Sequence, residues 1–392
     1  MTNTAERARR MRALARLYSR QLDHVASKFV GREEAVRVLG LAVLCREHVL
    51  LIGPPGTAKT AIVNEFQQVF IGMKHFSYLL TRFTEPAELF GPLNVELFNS
   101  QSIFRYNTTD MLPTAHIAFL DEVFSGSSAI LNTLLTLINE RLFYNGPEKQ
   151  PADLHTLLGS TNSLPSDPLL AAFGDRFLLR CTLDYVGPDR VERLLATGWE
   201  HEQPAGADDQ DQARFSLAKL EQLQREVTAI DVSGVRPLLA ATLRILGGQG
   251  VQFSDRRAVK AQKLIAASAL LAGRREAIRE DLSVLAYLWT QEGDDKTIRE
   301  ILSQEDIPSE ANLHVSREAS ALVLNLRELT HGARGTTQAE RRDLVEQLHL
   351  LHQEAEEDHP EEAELLRDIE EAYAAALGAL RNEEREGAVG HV

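Results

Sequence analysis

A turn of eight residues between a strand and a helix constrains this chain more than any other feature. Residues 53–60 read Gly-Pro-Pro-Gly-Thr-Ala-Lys-Thr, after an apolar run at residues 49–52 and before a segment with apolar side chains at helical spacing. The backbone N–H groups of such a turn, with the N-terminus of the following helix, form a cradle for a polyphosphate. Gly53 and Gly56 let the backbone pass close to the anion. The sequence therefore predicts a phosphate-binding loop.

The end of this loop carries the polar side chains that a nucleotide needs. We expect Lys59 to place its ammonium on the β- and γ-phosphates and Thr60 to give its hydroxyl to Mg²⁺. Ala58 stands where glycine is usual, but a methyl group is the smallest possible intrusion, so binding should survive. The predicted cofactors are ATP and Mg²⁺. The predicted nucleotide-binding residues are Gly53, Pro54, Pro55, Gly56, Thr57, Ala58, Lys59 and Thr60.

Two carboxylates follow a second apolar run, at residues 117–120. Asp121 is predicted to hold Mg²⁺ through water, and Glu122 to polarise the water that attacks the γ-phosphate. An acidic pair after an apolar run is also a common way to begin a helix. Combined with the upstream phosphate loop, the pair indicates hydrolysis rather than binding alone.

A polar amide follows the next run of strand length. Asn162, in Gly159-Ser160-Thr161-Asn162, is a candidate to orient the attacking water or to sense the γ-phosphate. An asparagine that only forms a turn is the alternative, and the sequence does not decide between them.

Apolar runs of strand length alternate with helical patterns in the first half of the chain. The runs lie at residues 48–52, 76–80, 117–120, 156–158 and 177–181, and two helices at about residues 6–28 and 33–45 precede them. This alternation predicts an α/β domain, residues 1–184, with a parallel sheet covered on both faces. The ends of its strands should carry the nucleotide contacts.

The second half of the chain reads as helices without strands. Residues 185–305 predict an all-helical domain, with an exposed loop at about 203–212. Residues 306–392 show three more helical patterns, at about 316–331, 337–356 and 360–386, which predict a C-terminal helical hairpin or bundle.

Charge and composition exclude several classes of protein. The net charge is −15, and residues 351–392 contain 13 acidic and 3 basic residues. An acidic chain without a basic stripe is a poor candidate for gripping duplex DNA, so nucleic acid is an improbable partner. Cys45 and Cys181 lie in apolar stretches, which predicts buried thiols rather than a disulfide or metal site. The absence of a long apolar run predicts a cytoplasmic protein without a membrane span.

The motifs together resemble the AAA+ ATPases and, within them, the RavA-like branch of the MoxR family. An alanine before the loop lysine is what this family shows. The resemblance runs from about residue 29 to residue 289. It rests on residues 53–60, 119–122, 131–141 (Leu-Asn-Thr-Leu-Leu-Thr-Leu-Ile-Asn-Glu-Arg), 161–162 and 175–177 (Asp-Arg-Phe).

The resemblance implies an α/β nucleotide domain, a helical lid and a hexameric ring with ATP at the subunit borders. Arg176 looks like the arginine finger that reaches the γ-phosphate of the neighbouring subunit. From spacing alone, Arg141 and Arg180 compete for that role. Arg256 looks like the lid arginine called sensor 2, although Arg257 beside it leaves the register open by one residue.

Two segments look like insertions of this family. Residues 88–111 interrupt the second helix, and residues 142–157 contain Tyr144-Asn145-Gly146, which suggests a hairpin turn. Such loops are expected to line a pore or to face a partner. Plain architecture is an equally good explanation for a hairpin.

Three functions are compatible with these motifs. The first is a chaperone-like ATPase that remodels or matures a partner, which the resemblance suggests is a protein with a von Willebrand A domain. The second is an assembly scaffold in which ATP closes the ring and hydrolysis resets it. The third is a DNA branch-migration motor, which the acidic composition disfavours.

Overall fold

The computed structural model describes residues 2–202 and 215–307, and beyond them residues 326, 344, 345, 348, 351, 352 and 366–377. The chain forms two compact units, Met1–Ala311 and Asn312–Val392. The predicted boundary between residues 184 and 185 falls inside the first unit and stays a prediction.

A five-stranded parallel sheet forms the centre of the first unit and confirms the predicted fold class. Every neighbouring pair of its strands is parallel. In order across the sheet, the strands are β3 (His75–Leu79), β4 (Ile117–Asp121), β7 (Thr156–Thr161), β1 (Val49–Ile52) and β8 (Leu179–Thr182). All residues of β1 and β7 are buried, as expected for strands covered on both faces.

The order of the strands places the site. Strand β7 lies between β4 and β1, so the carboxyl ends of these three strands are adjacent. Their ends carry the phosphate loop, the acidic pair and Asn162. The helices of this part are α1 (Thr2–Ser27), α2 (Glu33–Cys45), α3 (Lys59–Gln68), α6 (Ser128–Glu140) and α7 (Pro168–Gly174). Both cysteines are buried and free, as predicted.

The two predicted insertions pack against each other. The first contains α4 (Pro86–Phe90) and α5 (Val95–Gln101), and the second is a hairpin of β5 (Leu142–Asn145) and β6 (Glu148–Pro151). The turn lies one residue later than predicted, at residues 146 and 147, because Asn145 still pairs with Glu148.

The region after β8 is helical, as predicted, with one exception. A two-residue strand, β9 (Phe215–Ser216), pairs in parallel with β2 (Phe70–Ile71), so the expectation of a region without strands was wrong at that point. The predicted loop at 203–212 lies outside the described residues. The helices are α8 (Val191–Glu202), α9 (Leu217–Val227), α10 (Arg236–Gly248), α11 (Asp255–Leu271), a 3₁₀ helix (Arg279–Tyr287) and α12 (Asp294–Gln304).

The described residues of the second unit are helical. Leu348, Leu351 and Ile369 are buried in one apolar cluster, which agrees with helices that pack along their apolar faces. Most of the predicted helix at 316–331 lies outside the described residues. Nowhere in the described part of the chain is there a helix long and apolar enough to cross a membrane.

Candidate nucleotide-binding site

The phosphate loop follows β1 and leads directly into α3. Gly53 has no space for a side chain, since an added Cβ would lie 2.1 Å from the carbonyl oxygen of Leu183. Gly56 has φ +82°, and Ala58, the residue before α3, has φ +66°. Left-handed backbone favours glycine, and an alanine there costs about 1 kcal/mol. The loop thus accepts Ala58 at a small cost in strain.

The side chain of Lys59 lies across the loop that contains it. Its Nζ donates to the carbonyl oxygens of Gly53 (2.6 Å) and Pro54 (3.0 Å) and to Oδ1 of Asn162 (3.2 Å). Burial lowers the pKa of Lys59, while the nearby carboxylates of Asp121 and Glu122 raise it. The ammonium is therefore held at the mouth of the loop, where phosphate oxygens can replace its carbonyl partners.

Oxygen donors suited to a magnesium ion meet beside the loop. Thr60 Oγ1 donates to Asp121 Oδ2 at 3.1 Å, and the hydroxyl of Ser160 donates to Asp121 Oδ1. Mg²⁺ is usually bound by one or two protein oxygens together with phosphates and water. Thr60 and Asp121 fit that requirement, and Ser160, which the sequence analysis did not select, fixes the carboxylate.

Glu122 and Asn162 form the next pair of the site. Asn162 Nδ2 donates to Glu122 Oε1 at 2.7 Å, so the amide joins Glu122 on one side to Lys59 on the other. Glu122 has φ +51°, in the left-handed region that non-glycine residues adopt only uncommonly. Burial, and secondarily Asp121, raises the pKa of Glu122, while Lys59 opposes this shift. A carboxylate with a raised pKa is a better proton acceptor near neutral pH.

Two residues that the sequence analysis missed hold the loop from outside. Arg32 is buried and donates to the carbonyl oxygens of Thr57 (3.2 Å) and Asp184 (2.8 Å). The hydroxyl of Tyr185 donates to the carbonyl oxygen of Pro55 at 3.2 Å. Their distance in sequence from the loop left no local signal for either contact.

The three arginines that compete as fingers differ in their environment. Arg141 donates to the carbonyl oxygens of Leu154 and Arg46, and burial lowers its pKa to about 10. Arg180 is 4% exposed, and burial lowers its pKa to about 10 as well. Arg176 is half-buried, and its Nε, like that of Arg180, has no hydrogen-bond partner. Arg141 and Arg180 are thus held by backbone carbonyls of their own chain, and Arg176 stays the candidate finger.

Arg176 does not lie at the phosphate loop of its own chain. It precedes β8 by three residues, whereas the loop follows the last residue of β1. These strands are parallel, with Val49 opposite Leu179. The phosphate loop therefore lies at the carboxyl ends of the strands, and Arg176 lies toward their amino ends, at the opposite edge of the sheet.

The two candidate lid arginines, Arg256 and Arg257, also differ in their burial and in their partners. Arg257 is 1% exposed and binds backbone carbonyls, while Arg256 is half-buried and lies 3.4 Å from Oδ1 of Asn139. Arg256 helps to lower the pKa of His48, a residue that precedes β1 and whose pKa falls mainly through burial. Arg256 therefore lies near the sheet edge opposite the phosphate loop, and the structure does not bring it to Lys59.

The fold and these side chains define a P-loop nucleotide-binding domain with a helical lid. A family described as the MoxR domain in the MoxR-vWA-beta-propeller ternary systems matches residues 15–225, and an AAA lid domain matches residues 237–302. The chain belongs to the MoxR family of AAA+ ATPases. Its resemblance to the RavA-like branch stays a prediction.

Individual relatives agree with this assignment. The uncharacterized protein MJ0079 of Methanocaldococcus jannaschii is 34% identical over 274 residues, which cover 70% of each chain. The chaperone MoxR1 of Mycobacterium tuberculosis is 26% identical over 180 residues, 45% of this chain and 46% of that one. A crystal structure of a candidate ATPase from Cytophaga hutchinsonii has a TM-score of 0.61 at 18% identity, and it covers 77% of this chain and 97% of its own. That last likeness concerns the fold alone.

Proposed function

We propose that this chain hydrolyses ATP with Mg²⁺ and uses the energy to remodel or mature a protein partner. One observation carries the proposal: Lys59, Asn162 and Glu122 form a continuous hydrogen-bonded row beside the Thr60–Asp121 pair. A cation for the phosphates, oxygens for a metal and a base for water are thus adjacent, which is what phosphoryl transfer to water requires.

The chemistry follows from this row. Lys59 exchanges its carbonyl partners for β- and γ-phosphate oxygens, and Asn162 and Glu122 hold a water molecule against the γ-phosphorus. The water oxygen forms the new bond, the bond to the β–γ bridging oxygen breaks, and the water proton passes to a carboxylate oxygen of Glu122. Thr60 and Asp121 would hold the Mg²⁺ ion, which would supply positive charge to the phosphate oxygens.

Neither of the two candidate catalytic arginines reaches the phosphate loop of its own chain. Arg176 and Arg256 both lie toward the opposite edge of the sheet. We propose that both act on the nucleotide of a neighbouring copy in a ring, a hexamer by family resemblance. Head-to-tail contacts of this kind close into rings and present each site to the next subunit.

The partner is proposed from the name of the matching family. That family is described by its place in MoxR-vWA-beta-propeller systems, so we propose that a protein with a von Willebrand A domain is the partner. Such a partner should raise the rate of ATP hydrolysis when it is added to the purified ring.

Two substitutions test the assigned roles. Lys59→Ala removes the ammonium from the loop and should abolish ATP binding, measured by equilibrium titration with Mg²⁺. Glu122→Gln keeps the shape of the side chain but cannot accept a proton, so ATP should bind while turnover falls by about 10²–10⁴-fold.

Lys74→Ala is the matched control, because Lys74 is exposed and remote from the loop. It should bind and hydrolyse ATP like the unaltered chain. Turnover at the unaltered rate by Glu122→Gln would refute the role of Glu122, and tight ATP binding by Lys59→Ala would refute that of Lys59.

A further inference from the structure

A buried arginine of the helical region holds the segment that carries Arg176. Arg257, on α11, donates to the carbonyl oxygens of Leu178 (2.8 Å), Phe177 (2.9 Å) and Asp175 (3.3 Å). Its Nε donates to Oδ1 of Asp175 at 3.0 Å. These acceptors lie on both sides of Arg176 in sequence, so one guanidinium fixes the backbone before and after it.

A second buried arginine holds the same segment from the sheet. Arg180, on β8, donates to the carbonyl oxygen of Gly174 at 3.1 Å and to that of Thr290 in the helical region. Its guanidinium lies 5.5 Å from the ring centre of Trp289. Arg257 also donates to the carbonyl oxygen of Leu288 at 3.0 Å. The two arginines therefore join residues 174–178 to residues 288–290.

The planar guanidinium group of Arg257 can reach several acceptors at once. Arg257 is 1% exposed, and its acceptors comprise four backbone carbonyls and one partly exposed carboxylate, that of Asp175. A buried cation is costly and is tolerated only where many acceptors surround it. Arginine offers five N–H groups in a fixed plane, whereas lysine offers three on a single atom. Packing alone would be satisfied by an apolar side chain at this position.

We propose that Arg257 is a positioning residue, which sets the place of Arg176 and couples it to the helical region. The inference rests on the proposed role of Arg176 as a finger for the neighbouring copy. Movement of residues 288–290 is then transmitted through the two guanidiniums to residues 174–178. A finger placed in this way senses the state of its own chain and acts on the nucleotide of the next.

A test by subunit mixing separates positioning from a general loss of structure. Arg257→Lys keeps the charge but loses the planar set of donors, so the position of Arg176 should relax. Displacement of a catalytic group by about 1 Å costs up to about 100-fold in rate. We expect kcat to fall by about 10- to 100-fold with KM for ATP unchanged, since the phosphate loop of the same chain is intact.

Mixing with Lys59→Ala then locates the defect. Lys59→Ala subunits cannot bind ATP but present an intact Arg176, so they should supply a finger to a neighbouring Arg257→Lys subunit. In a random equal mixture about a quarter of the borders combine an intact loop with an intact finger, so turnover should return to about a quarter of the unaltered value. Arg176→Ala, treated identically, should behave in the same way.

The control is another buried arginine of the helical region. Arg274 is 5% exposed and donates to both carboxylate oxygens of Asp281, at 2.7 and 2.9 Å. Arg274→Lys disturbs an equally buried set of hydrogen bonds but not residues 174–178, so its kcat should stay at the unaltered value. If Arg257→Lys does not fold, Asp175→Asn takes its place, because it removes the charged acceptor of Arg257 at a partly exposed position.

The outcomes test the positioning role of Arg257 separately from the proposed finger role of Arg176. Unaltered kcat in Arg257→Lys, or a low kcat that Lys59→Ala does not restore while it restores Arg176→Ala, overturns the positioning role and leaves the proposed function intact. Unaltered turnover in Arg176→Ala, or no restoration of that variant, instead overturns the role of Arg176 and the inference with it.

Discussion

The site depends on a few side chains whose ionisation and backbone conformation depart from the ordinary. Glu122 has a left-handed backbone, a raised pKa and one hydrogen bond from Asn162. The left-handed backbone occurs where β4 ends, and the pKa is raised by burial beside Asp121. The hydrogen bond forms because β7, which leads to Asn162, lies next to β4. Together they leave a carboxylate that faces the phosphate loop and accepts protons more readily than an exposed glutamate.

The raised pKa of Glu122 predicts the acidic limit of turnover. The carboxylate acts as a base only when it is deprotonated, so kcat should fall about tenfold per pH unit below that pKa. Because burial raises the pKa, and phosphate charges raise it further, the midpoint should lie above the ordinary value of 4.5. Measurements of kcat against pH at saturating ATP locate this midpoint.

ATP binding measured at each pH serves as the control, because it should persist where turnover is lost. A midpoint at or below 4.5, with binding intact, would show that Glu122 is not the base whose ionisation limits the rate.

At the scale of elements, the two insertions act as one structural module. Asn145, on β5, is 2% exposed and exchanges two hydrogen bonds with Tyr106 of the first insertion, at 2.7 and 3.0 Å. Phe143 stacks on Phe90 with ring centres 5.2 Å apart. Phe90 and Phe143 are both buried at this contact, so each insertion shields an aromatic side chain of the other.

Asn145→Ala should separate the two insertions without unfolding the sheet. The backbone N–H and carbonyl of Tyr106 lose their partners, at a cost of about 1–3 kcal/mol. Amide hydrogen exchange at residues 104–107 should accelerate, while exchange in β1 and β7 should not change.

Asn107→Ala is the control within the same insertion, because the side chain of Asn107 accepts its hydrogen bonds, in the described part of the chain, from nearby Thr109. It should leave exchange in the hairpin unaltered. If Asn145→Ala left residues 104–107 as protected as before, the module would be held by apolar packing alone.

At the scale of the first unit, α1 packs against helices from both sides of the predicted boundary at residue 184. It contacts α2 and α3, which precede that boundary, and α9 and α11, which follow it. Tyr18 is fully buried, donates its hydroxyl to the carbonyl oxygen of Gly40 at 2.9 Å, and lies 5.1 Å edge-on from the ring of Phe215. The predicted boundary at residue 184 thus crosses a shared core, which favours a single cooperative unit.

Tyr18→Ala should destabilise both parts together. Removal of a buried aromatic ring costs about 3–5 kcal/mol. Hydrogen exchange in β1 and α11 should report the same loss of free energy of unfolding. Tyr18→Phe, which removes only the hydroxyl, should cost about 1 kcal/mol. Loss of protection in α11 alone would instead show two domains that unfold independently across residue 184.

Much of the fold was predictable because its signals are short in sequence. The five central strands, of four to six residues each, begin and end within a few positions of the apolar runs that predicted them. The loop at residues 53–60 is one continuous segment, so the cradle and its lysine appear together. The strand β9 was missed because two residues carry no periodicity that separates them from a helix.

Some contacts around the phosphate loop could not be predicted from the sequence. Ser160 was within the motif that contains Asn162, yet its hydroxyl is tied to Asp121 only because β7 lies beside β4. Arg32 and Tyr185 reach the loop from segments far away in sequence. Nothing in their local composition indicates such contacts.

By itself the sequence determined the succession of strands and helices along the chain, the phosphate loop and the acidic pair. These features depend on backbone preference and apolar periodicity, which act over a few residues. Only the tertiary structure gave the neighbouring Arg256 and Arg257 different environments. Arg256 and Arg257 are chemically the same, but successive residues of a helix point about 100° apart. The guanidinium of Arg257 is therefore buried among carbonyls, while that of Arg256 is half-buried and reaches Asn139. This difference depends on which elements pack against α11.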